Sequence, residues 1–510
     1  MKKYALLSTW DKTGLLPFAK KLHELGYHLI ATGRTASFLK DNGIDCTEVI
    51  DITHFPEILE GRVKTLHPYV FGGILARSWV EDDMKTIENY GIPRIEIVAV
   101  NFYPFEKKKK EIKDITRLLE YIDIGGPSLV RAAAKNFKDV VVITDPEDYE
   151  LILRELEREG TVSLERRKKL AIKAFQRTAL YDAIISEHLE AYLENRNIFP
   201  KLLILPLEKE QNLRYGENPH QQAALYRHVT SMGEPPFELL LGKELSYNNI
   251  VDMYSAYNLV REFKEPACVI VKHTNPTGVS VDFSLTEAYE NALSTDSQAA
   301  FGGIVAFNDT VDIELARLLN ERFYEVIIAP NYTEDAIQKL KVKKNRRIVK
   351  AKYMKKTKFE IKNVFNRYLL QEHDDGPVFK RESMKIIPED KEIETFVMED
   401  LEFAFTVVKY VKSNGIVVAR DKKTVGIGAG QMSRVKSVSL ALRQAGTQAE
   451  GAVLASDGFF PFPDSIELAA RYGIIAIIQP GGSIRDSEVI EAAKKAGIIM
   501  VMTGIRHFKH

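Results

Sequence analysis

Tyr4-Ala5-Leu6-Leu7-Ser8-Thr9-Trp10-Asp11-Lys12-Thr13-Gly14 decides the fold class. Tyr4 to Leu7 reads as a buried strand that stops at hydroxyls and charge, and Leu15, Phe18, Ala19, Leu22 and Leu25 then recur at helical spacing until Gly26. A strand feeding a helix through a short polar turn is the repeating unit of a parallel sheet covered by helices. The plan returns at once: Leu29 to Ala31 is strand-like, Thr32-Gly33-Arg34-Thr35 a tight polar loop, and Ala36 to Lys40 a short helix. Ile97 to Val100 and Val140 to Ile143 are further strands, and 150 to 195 is charged and helical. Beyond it, Val269 to Val271, Ile304 to Ala306, Val453 to Ala455, Ile474 to Ile478 and Ile498 to Met502 are apolar runs that stop at polar or glycine-rich turns. The chain is therefore expected to be α/β throughout. A boundary near Asn195 to Pro200 gives domains 1–197 and 198–510, and the second has room for a duplicated α/β core.

Composition narrows the function. With 510 residues, 45% apolar and 28% charged, the chain can bury at least two cores. Seventy-one basic residues balance seventy-one acidic ones, which gives no reason to expect nucleic acid or an anionic membrane as partner. Cys46 and Cys268 are the only cysteines, too few for a disulfide framework or a cysteine zinc site, so a reducing cytoplasm and no metal are expected. No run approaches the roughly 18 apolar residues of a membrane span, and the short apolar run after Met1-Lys2-Lys3 marks neither export nor anchoring.

Open parallel sheets carry their ligands in loops at the carboxyl ends of strands. Here those loops hold Ser8, Trp10 to Gly14, Thr32 to Thr35 and Asn101-Phe102-Tyr103-Pro104. Hydroxyls, a lysine and helix N-termini suit a phosphate, although Asp11, Thr13 and Thr35 taken singly fit helix caps as well. Gly61-Arg62-Val63-Lys64-Thr65-Leu66-His67-Pro68 adds two cations and a hydroxyl. Asp123-Ile124-Gly125-Gly126-Pro127-Ser128 opens a helix, with Pro127 at its first position and Arg131 and Lys135 one turn apart. Ala132-Ala133-Ala134 beside Lys135 suggest close packing, which would give that lysine an anionic partner; the alternative is a solvated cationic stripe.

These segments resemble the inosine monophosphate (IMP) cyclohydrolase domain. Asn212-Leu213-Arg214-Tyr215-Gly216-Glu217-Asn218-Pro219-His220-Gln221, Leu245-Ser246-Tyr247-Asn248-Asn249, Lys272-His273-Thr274-Asn275-Pro276-Thr277-Gly278, Phe301-Gly302-Gly303 and Phe459-Phe460-Pro461-Phe462-Pro463-Asp464 resemble its usual fusion partner. That partner is the transformylase of aminoimidazole carboxamide ribonucleotide, AICAR. The chain is similar to this bifunctional purine-biosynthesis family from end to end. The resemblance implies a methylglyoxal-synthase-like parallel-sheet domain followed by a larger domain of cytidine-deaminase-like α/β subdomains. It implies formyl transfer from 10-formyltetrahydrofolate, a co-substrate rather than a tightly bound cofactor, to AICAR, followed by dehydrative ring closure to IMP. It also implies a homodimer whose partners are a nucleotide and a folate.

Carried over residue by residue, the resemblance implies nucleotide contacts at Ser8, Lys12, Thr13, Thr32, Gly33, Thr35, Arg62, Lys64, Thr65, Asn101 and Asp123. It implies ring-closure roles for Lys64, Tyr103, Asp123 and Lys135. In the second domain it implies nucleotide contacts at Arg214, Tyr215, His273, Gly302, Asn414, Arg434 and Arg506, with Phe459 and Ser483 near the folate. It leads one to expect serine at Trp10, glycine at Arg34 and proline at Ser297. Formyl transfer to an amine needs a base, an oxyanion donor and an acid, which Lys272, His273 and Asn414 could supply. The His-x-Glu and Pro-Cys-x-x-Cys signature of a zinc deaminase is missing. Two rivals stay open: a non-catalytic phosphate-ligand sensor in the first domain, and a dinucleotide-dependent oxidoreductase suggested by Gly426-Ile427-Gly428-Ala429-Gly430.

Overall fold

The computed structural model describes residues 2–193, 198–229, 235–352, 357, 359–376 and 378–510. The chain divides into two compact units, 1–207 with 228–231 and 208–227 with 232–510. The boundary expected at 197/198 adjoins residues 194–197, which lie outside the described residues. No helix among the described residues is long and apolar enough to cross a membrane.

The first unit is built on β1 (Lys3–Thr9), β2 (Tyr27–Ala31), β3 (Thr47–Glu48), β4 (Ile95–Asn101) and β5 (Val141–Ile143), in the order β3-β2-β1-β4-β5. Every pair is parallel. Ala5 to Leu7 and Ile97 to Ala99 are fully buried, as strands covered on both faces require. Strand order reverses between β1 and β4, so the ligand crevice of such a sheet opens there. Two helices start earlier than expected. One runs Gly33–Asp41 and takes in most of the supposed Thr32 to Thr35 loop; the other runs Gly125–Lys135, placing Pro127 within its first turn, where no intrahelical N–H is needed.

In the second unit, β6 (Leu207–Leu213) with β7 (Ala223–His228), and β14 (Glu360–Val364) with β15 (Arg367–Gln371), form two-stranded ribbons. The main sheet holds β8 (Phe237–Leu241), β9 (Ala267–Lys272), β10 (Asn275–Val281), β11 (Ile304–Phe307), β12 (Val326–Ala329), β13 (Arg347–Ala351), β16 (Lys385–Ile387), β17 (Ile416–Arg420), β18 (Lys423–Gly428), β19 (Val453–Ser456), β20 (Ala476–Gln479) and β21 (Ile499–Met502). Read inward from its two edges, this 12-stranded sheet shows one plan twice. β8-β13-β12-β11-β9-β10 mirrors β16-β21-β20-β19-β17-β18, and the halves meet where β10 pairs antiparallel with β18. Each half has a hairpin, an antiparallel neighbour, two parallel strands and an antiparallel edge strand. Helices Tyr247–Val260 and Thr395–Val408 precede the two hairpins. The second unit is thus a duplicated α/β core.

Both hairpins turn on two residues of positive φ, His273 (54°) and Thr274 (63°) in one, Asp421 (53°) and Lys422 (51°) in the other. Paired left-handed residues match the twist of the flanking strands, which is why they close two-residue hairpins. The chain therefore leaves the sheet at His273 itself. Pro276 and Gly278 lie inside β10, where Gly278 admits close approach: a Cβ there would sit 1.9 Å from the Ala292 carbonyl oxygen.

Candidate active sites

At the β1/β4 crevice the strand-end loops are tied to one another. Asn101, the last residue of β4, accepts the Trp10 and Asp11 N–H groups at 2.6 and 2.9 Å through Oδ1 and donates to the Asp11 carbonyl at 2.9 Å. Its amide is spent on ordering the loop after β1. Ser8 and Thr32 hydroxyls lie 2.9 Å apart. Thr35 Oγ1 accepts the Thr9 N–H (3.2 Å) and the Lys12 ammonium (2.9 Å), and Lys12 also donates to the Thr9 carbonyl. Thr13 bonds Asp11 through both N–H and hydroxyl, so neither residue caps the following helix, whose N-cap is Gly14. Hydroxyls, an ammonium and the start of the helix Gly33–Asp41 thus share one edge, the arrangement that favours a phosphate.

Burial first, then the Arg34 guanidinium, push the Lys12 ammonium down to about 8, with Asp11 opposing. The positive charge is present below that value and lost as pH rises through it. A phosphate ester becomes a dianion above about pH 6. Affinity for a phosphate monoester at this edge is therefore expected to be greatest between those limits and to decline above about 8 in the parent protein. Calorimetric titration with a purine nucleoside monophosphate across the range checks this, and Lys12→Gln should flatten the alkaline limb.

Beside the crevice, Asp123 accepts the Gly126 N–H at 2.8 Å and the Tyr103 N–H, and its own N–H donates to the Tyr181 hydroxyl at 2.8 Å. Burial pushes its carboxyl above the usual range, against the pull of those N–H groups and of Lys64. Gly125 and Gly126 leave room for this cluster: a Cβ would lie 2.7 Å from Thr65 Oγ1 at the first and 2.5 Å from Asp123 Oδ2 at the second. Lys64, Thr65, Tyr103 and Asp123 thus come together. Arg62 instead forms a two-point ion pair with Glu120. Lys135 is exposed at the far end of its 11-residue helix, about 15 Å along the axis from Gly125 at its start. The buried, acid-paired Lys135 expected from the neighbouring alanines is not what the structure has.

In the second unit, Lys272 Nζ donates to the Phe301 carbonyl at 2.9 Å, next to Gly302, which takes a left-handed φ of 72°. The His273-Thr274 turn is held by Asp252, which accepts the Thr274 N–H at 2.7 Å and the His273 N–H. In the other half Asp400 accepts the Asp421 and Lys422 N–H groups at 2.9 and 2.7 Å. The aspartate anchor therefore belongs to the duplicated scaffold, while only one copy carries the Lys-His pair at its turn. Asn275 donates to the His273 carbonyl at 3.1 Å and accepts the Lys412 N–H at 3.0 Å, which links the turn to the segment Lys412-Ser413-Asn414.

Asn414 lies before β17, at the sheet edge where β18, β19, β20 and β21 end. Its amide is bonded to the Gln431 carbonyl (2.8 Å) and to Arg434 (2.7 Å). Arg434 also pairs with Asp457 at 2.5 Å and bonds the Ser456 hydroxyl at 2.8 Å. Both members of that pair are buried, Asp457 completely. Removing one charge of such a pair strands the other, so Arg434→Ala is expected to lower unfolding free energy by about 3 to 5 kcal/mol, read by denaturant titration. Phe459 follows β19, Ser483 follows β20 with its hydroxyl accepting the Arg485 N–H at 3.1 Å, and Arg506 follows β21, 4.8 Å from the Phe508 ring. A pocket of about 300 Å³ opens here, lined by Asn414, Gly430, Met432 and Phe508 among others. Arg214 and Tyr215 stand in the loop between β6 and β7, which Asn248 ties to the helix Tyr247–Val260 through the Glu217 carbonyl at 3.1 Å. Sequence reasoning passed over Asp252, Asn275, Tyr181 and Asp457, because each acts through a partner distant in the chain.

The glycine run 426–430 is not a dinucleotide loop. Gly426 and Gly428 lie within β18, where a Cβ would sit 2.0 and 2.1 Å from the carbonyls of Ala441 and Ser437. Their role is close packing of the helix Arg434–Ala445 on the strand.

Residues 133–444 match the family model described as AICARFT/IMPCHase bienzyme, and residues 14–128 match that of the MGS-like domain. The chain is 51% identical to the bifunctional purine biosynthesis protein PurH of Persephonella marina over the full length of both. It is 49% identical to that of Aquifex aeolicus, over 99% of this chain and 100% of the other, and 48% identical to that of a Thermoanaerobacter species, again over both full lengths.

Proposed function

The chain belongs to the AICARFT/IMPCHase bienzyme family, and from that premise we propose that its two chemistries are divided between the two units, each at the strand-end site described above. The protein catalyses the last two steps of IMP synthesis: formyl transfer to AICAR, then ring closure of the formylated nucleotide with loss of water. We assign ring closure to residues 1–197 and formyl transfer to 198–510, with 10-formyltetrahydrofolate as donor, a homodimer as the working form and the cytoplasm as its location.

For formyl transfer, the 5-amino nitrogen of AICAR attacks the formyl carbon. The carbonyl becomes an oxyanion, the amine gives up a proton, and the carbon–nitrogen bond to the folate breaks as that nitrogen takes a proton. His273 is the base and Lys272 the oxyanion donor. Their placement at an anchored turn supports this: Lys272 ends β9 and His273 begins the left-handed turn, so the two are not bound to opposite faces as neighbours within a regular strand are. Asn414 lines the pocket and Arg434 braces it through the Asn414 amide; Gly302 and Arg506 are assigned to the nucleotide, and Phe459 and Ser483 to the folate. Exposed Arg214 and half-buried Tyr215 suit contribution to a partner's site in the dimer.

For ring closure, the carboxamide nitrogen attacks the formyl carbon and water leaves. An amide nitrogen is a poor nucleophile, so a base beside it and a cation beside the developing oxyanion matter most. Asp123 takes the amide proton, Lys64 and the Tyr103 hydroxyl face the oxygen, and Ser8, Lys12, Thr13, Thr32, Gly33, Thr35 and Thr65 hold the phosphate end. Asn101 acts by ordering the loop, and Arg62 is released from Glu120 only if the nucleotide competes for it. The observation that carries the assignment is the Lys64–Thr65–Asp123 cluster, joined through Tyr103 and Trp10 to the hydroxyl-rich strand ends. Incubation with AICAR and 10-formyltetrahydrofolate should yield IMP; accumulation of the formylated nucleotide as end product would refute the role given to the first unit.

A further inference from the structure

Trp10 and Arg34 stand where the family resemblance leads one to expect serine and glycine, and in the structure they touch. The Arg34 guanidinium carbon is 5.3 Å from the centre of the Trp10 ring, and the Trp10 and Tyr103 rings are 5.0 Å apart at 64°. Trp10 follows β1, Arg34 lies in the first turn after β2, and Tyr103 follows β4, so the stack runs across three neighbouring strand ends in the order β2-β1-β4. Asn101 fixes the middle member by its 2.6 Å bond to the Trp10 N–H. Two unexpected residues that contact one another form one replaced unit; a serine and a glycine could make neither contact.

We infer that Trp10 is a positioning residue for ring closure, clamping Arg34 over the phosphate edge and buttressing Tyr103 beside the reacting carbon. This rests on the proposed function of the first unit. An exposed arginine left to itself spends conformational entropy when it binds, whereas one held on an aromatic face is ordered beforehand. The cation then lies at the start of the helix Gly33–Asp41, where a nucleotide 5′-phosphate is favoured. An edge-to-face contact likewise restricts the Tyr103 ring to one orientation. The lowered ammonium of Lys12, caused in part by Arg34, agrees with a second cation already held at this edge. Arg34 therefore acts on nucleotide affinity, and Trp10 on both affinity and turnover.

The test is a mutant cycle on the full-length protein, measuring kcat and KM for ring closure of supplied formylated nucleotide. Arg34→Gly should raise KM with little change in kcat, and Trp10→Ser should lower kcat/KM about tenfold through both constants. The double variant should be no worse than Trp10→Ser, because the two residues act as a unit. Trp10→Phe should restore most of kcat. Formyl transfer by the same preparations serves as the folding control and should be unchanged. The protein has two tryptophans, so on a Trp79→Phe background the emission of Trp10 should change as IMP is added. Additive losses in the double variant, an unaltered kcat in Trp10→Ser, or emission indifferent to IMP would each overturn the clamp. Tyr103→Phe separates this from the underlying assignment. Parent-like ring closure there removes Tyr103 from the chemistry, whereas a crippled Tyr103→Phe beside an indifferent Trp10→Ser sinks the clamp alone.

Discussion

His273→Ala is expected to slow formyl transfer by about 10²- to 10⁴-fold while ring closure of supplied formylated nucleotide proceeds at the parent rate. The size follows from losing a positioned base in a step where the attacking amine must shed its proton. The direction is sharpened by the duplicated scaffold. Asp252 and Asp400 anchor equivalent left-handed turns, so turn geometry does not depend on histidine; Asp421 occupies the equivalent place in the second hairpin. Removing the imidazole should leave the hairpin intact and AICAR binding measurable by calorimetry. Lys272→Ala should show the same selectivity, since its ammonium is held beside Gly302 by the Phe301 carbonyl. Formyl transfer within a few-fold of the parent in His273→Ala, with binding intact, would assign the base elsewhere.

Asp123→Asn is expected to cost ring closure about 10²- to 10⁴-fold, with the formylated nucleotide accumulating from AICAR. Asparagine keeps an oxygen for the Gly126 N–H but cannot take a proton at neutral pH. The fold should not suffer. Burial raises the Asp123 carboxyl, so its ionised form is disfavoured in the folded state and weighs against stability as pH rises above the unfolded carboxylate value. The neutral variant should therefore match or exceed the parent in thermal midpoint at pH 7. A variant that is less stable and still cyclises would reverse both halves of this account. Lys64→Ala should follow Asp123→Asn in activity; Lys135→Ala, exposed at the far helix end, should affect ring closure far less.

The parallel strands were legible because buried strands read as short continuous apolar runs. Helix starts were less so. Gly33, Gly125 and Gly126 look like loop residues, yet the latter two are glycine to let Thr65 and Asp123 approach the backbone, which no local pattern reveals. The expected burial of Lys135 fails for a geometric reason: adjacent positions on a helix face different ways, so Ala133 and Ala134 can be buried while Lys135 is not. The polar clusters at the strand ends were visible in the sequence, but Asn101 as a brace and Arg62 as a partner of Glu120 needed coordinates. In the second unit, the Lys-His pair stood out at a strand end. The anchor Asp252 and the Arg434–Asp457–Asn414 network did not, since each links residues far apart in sequence.

The division of labour between the units is tested most directly by mixing two full-length variants, His273→Ala and Asp123→Asn, and following IMP from AICAR and 10-formyltetrahydrofolate. Each alone should make almost none, the first stopping at AICAR and the second at the formylated nucleotide. Together they should restore IMP formation to a large fraction of the parent rate, because each supplies the step the other lacks. A mixture no better than either variant, with each still competent in its remaining half-reaction, would contradict two separate sites.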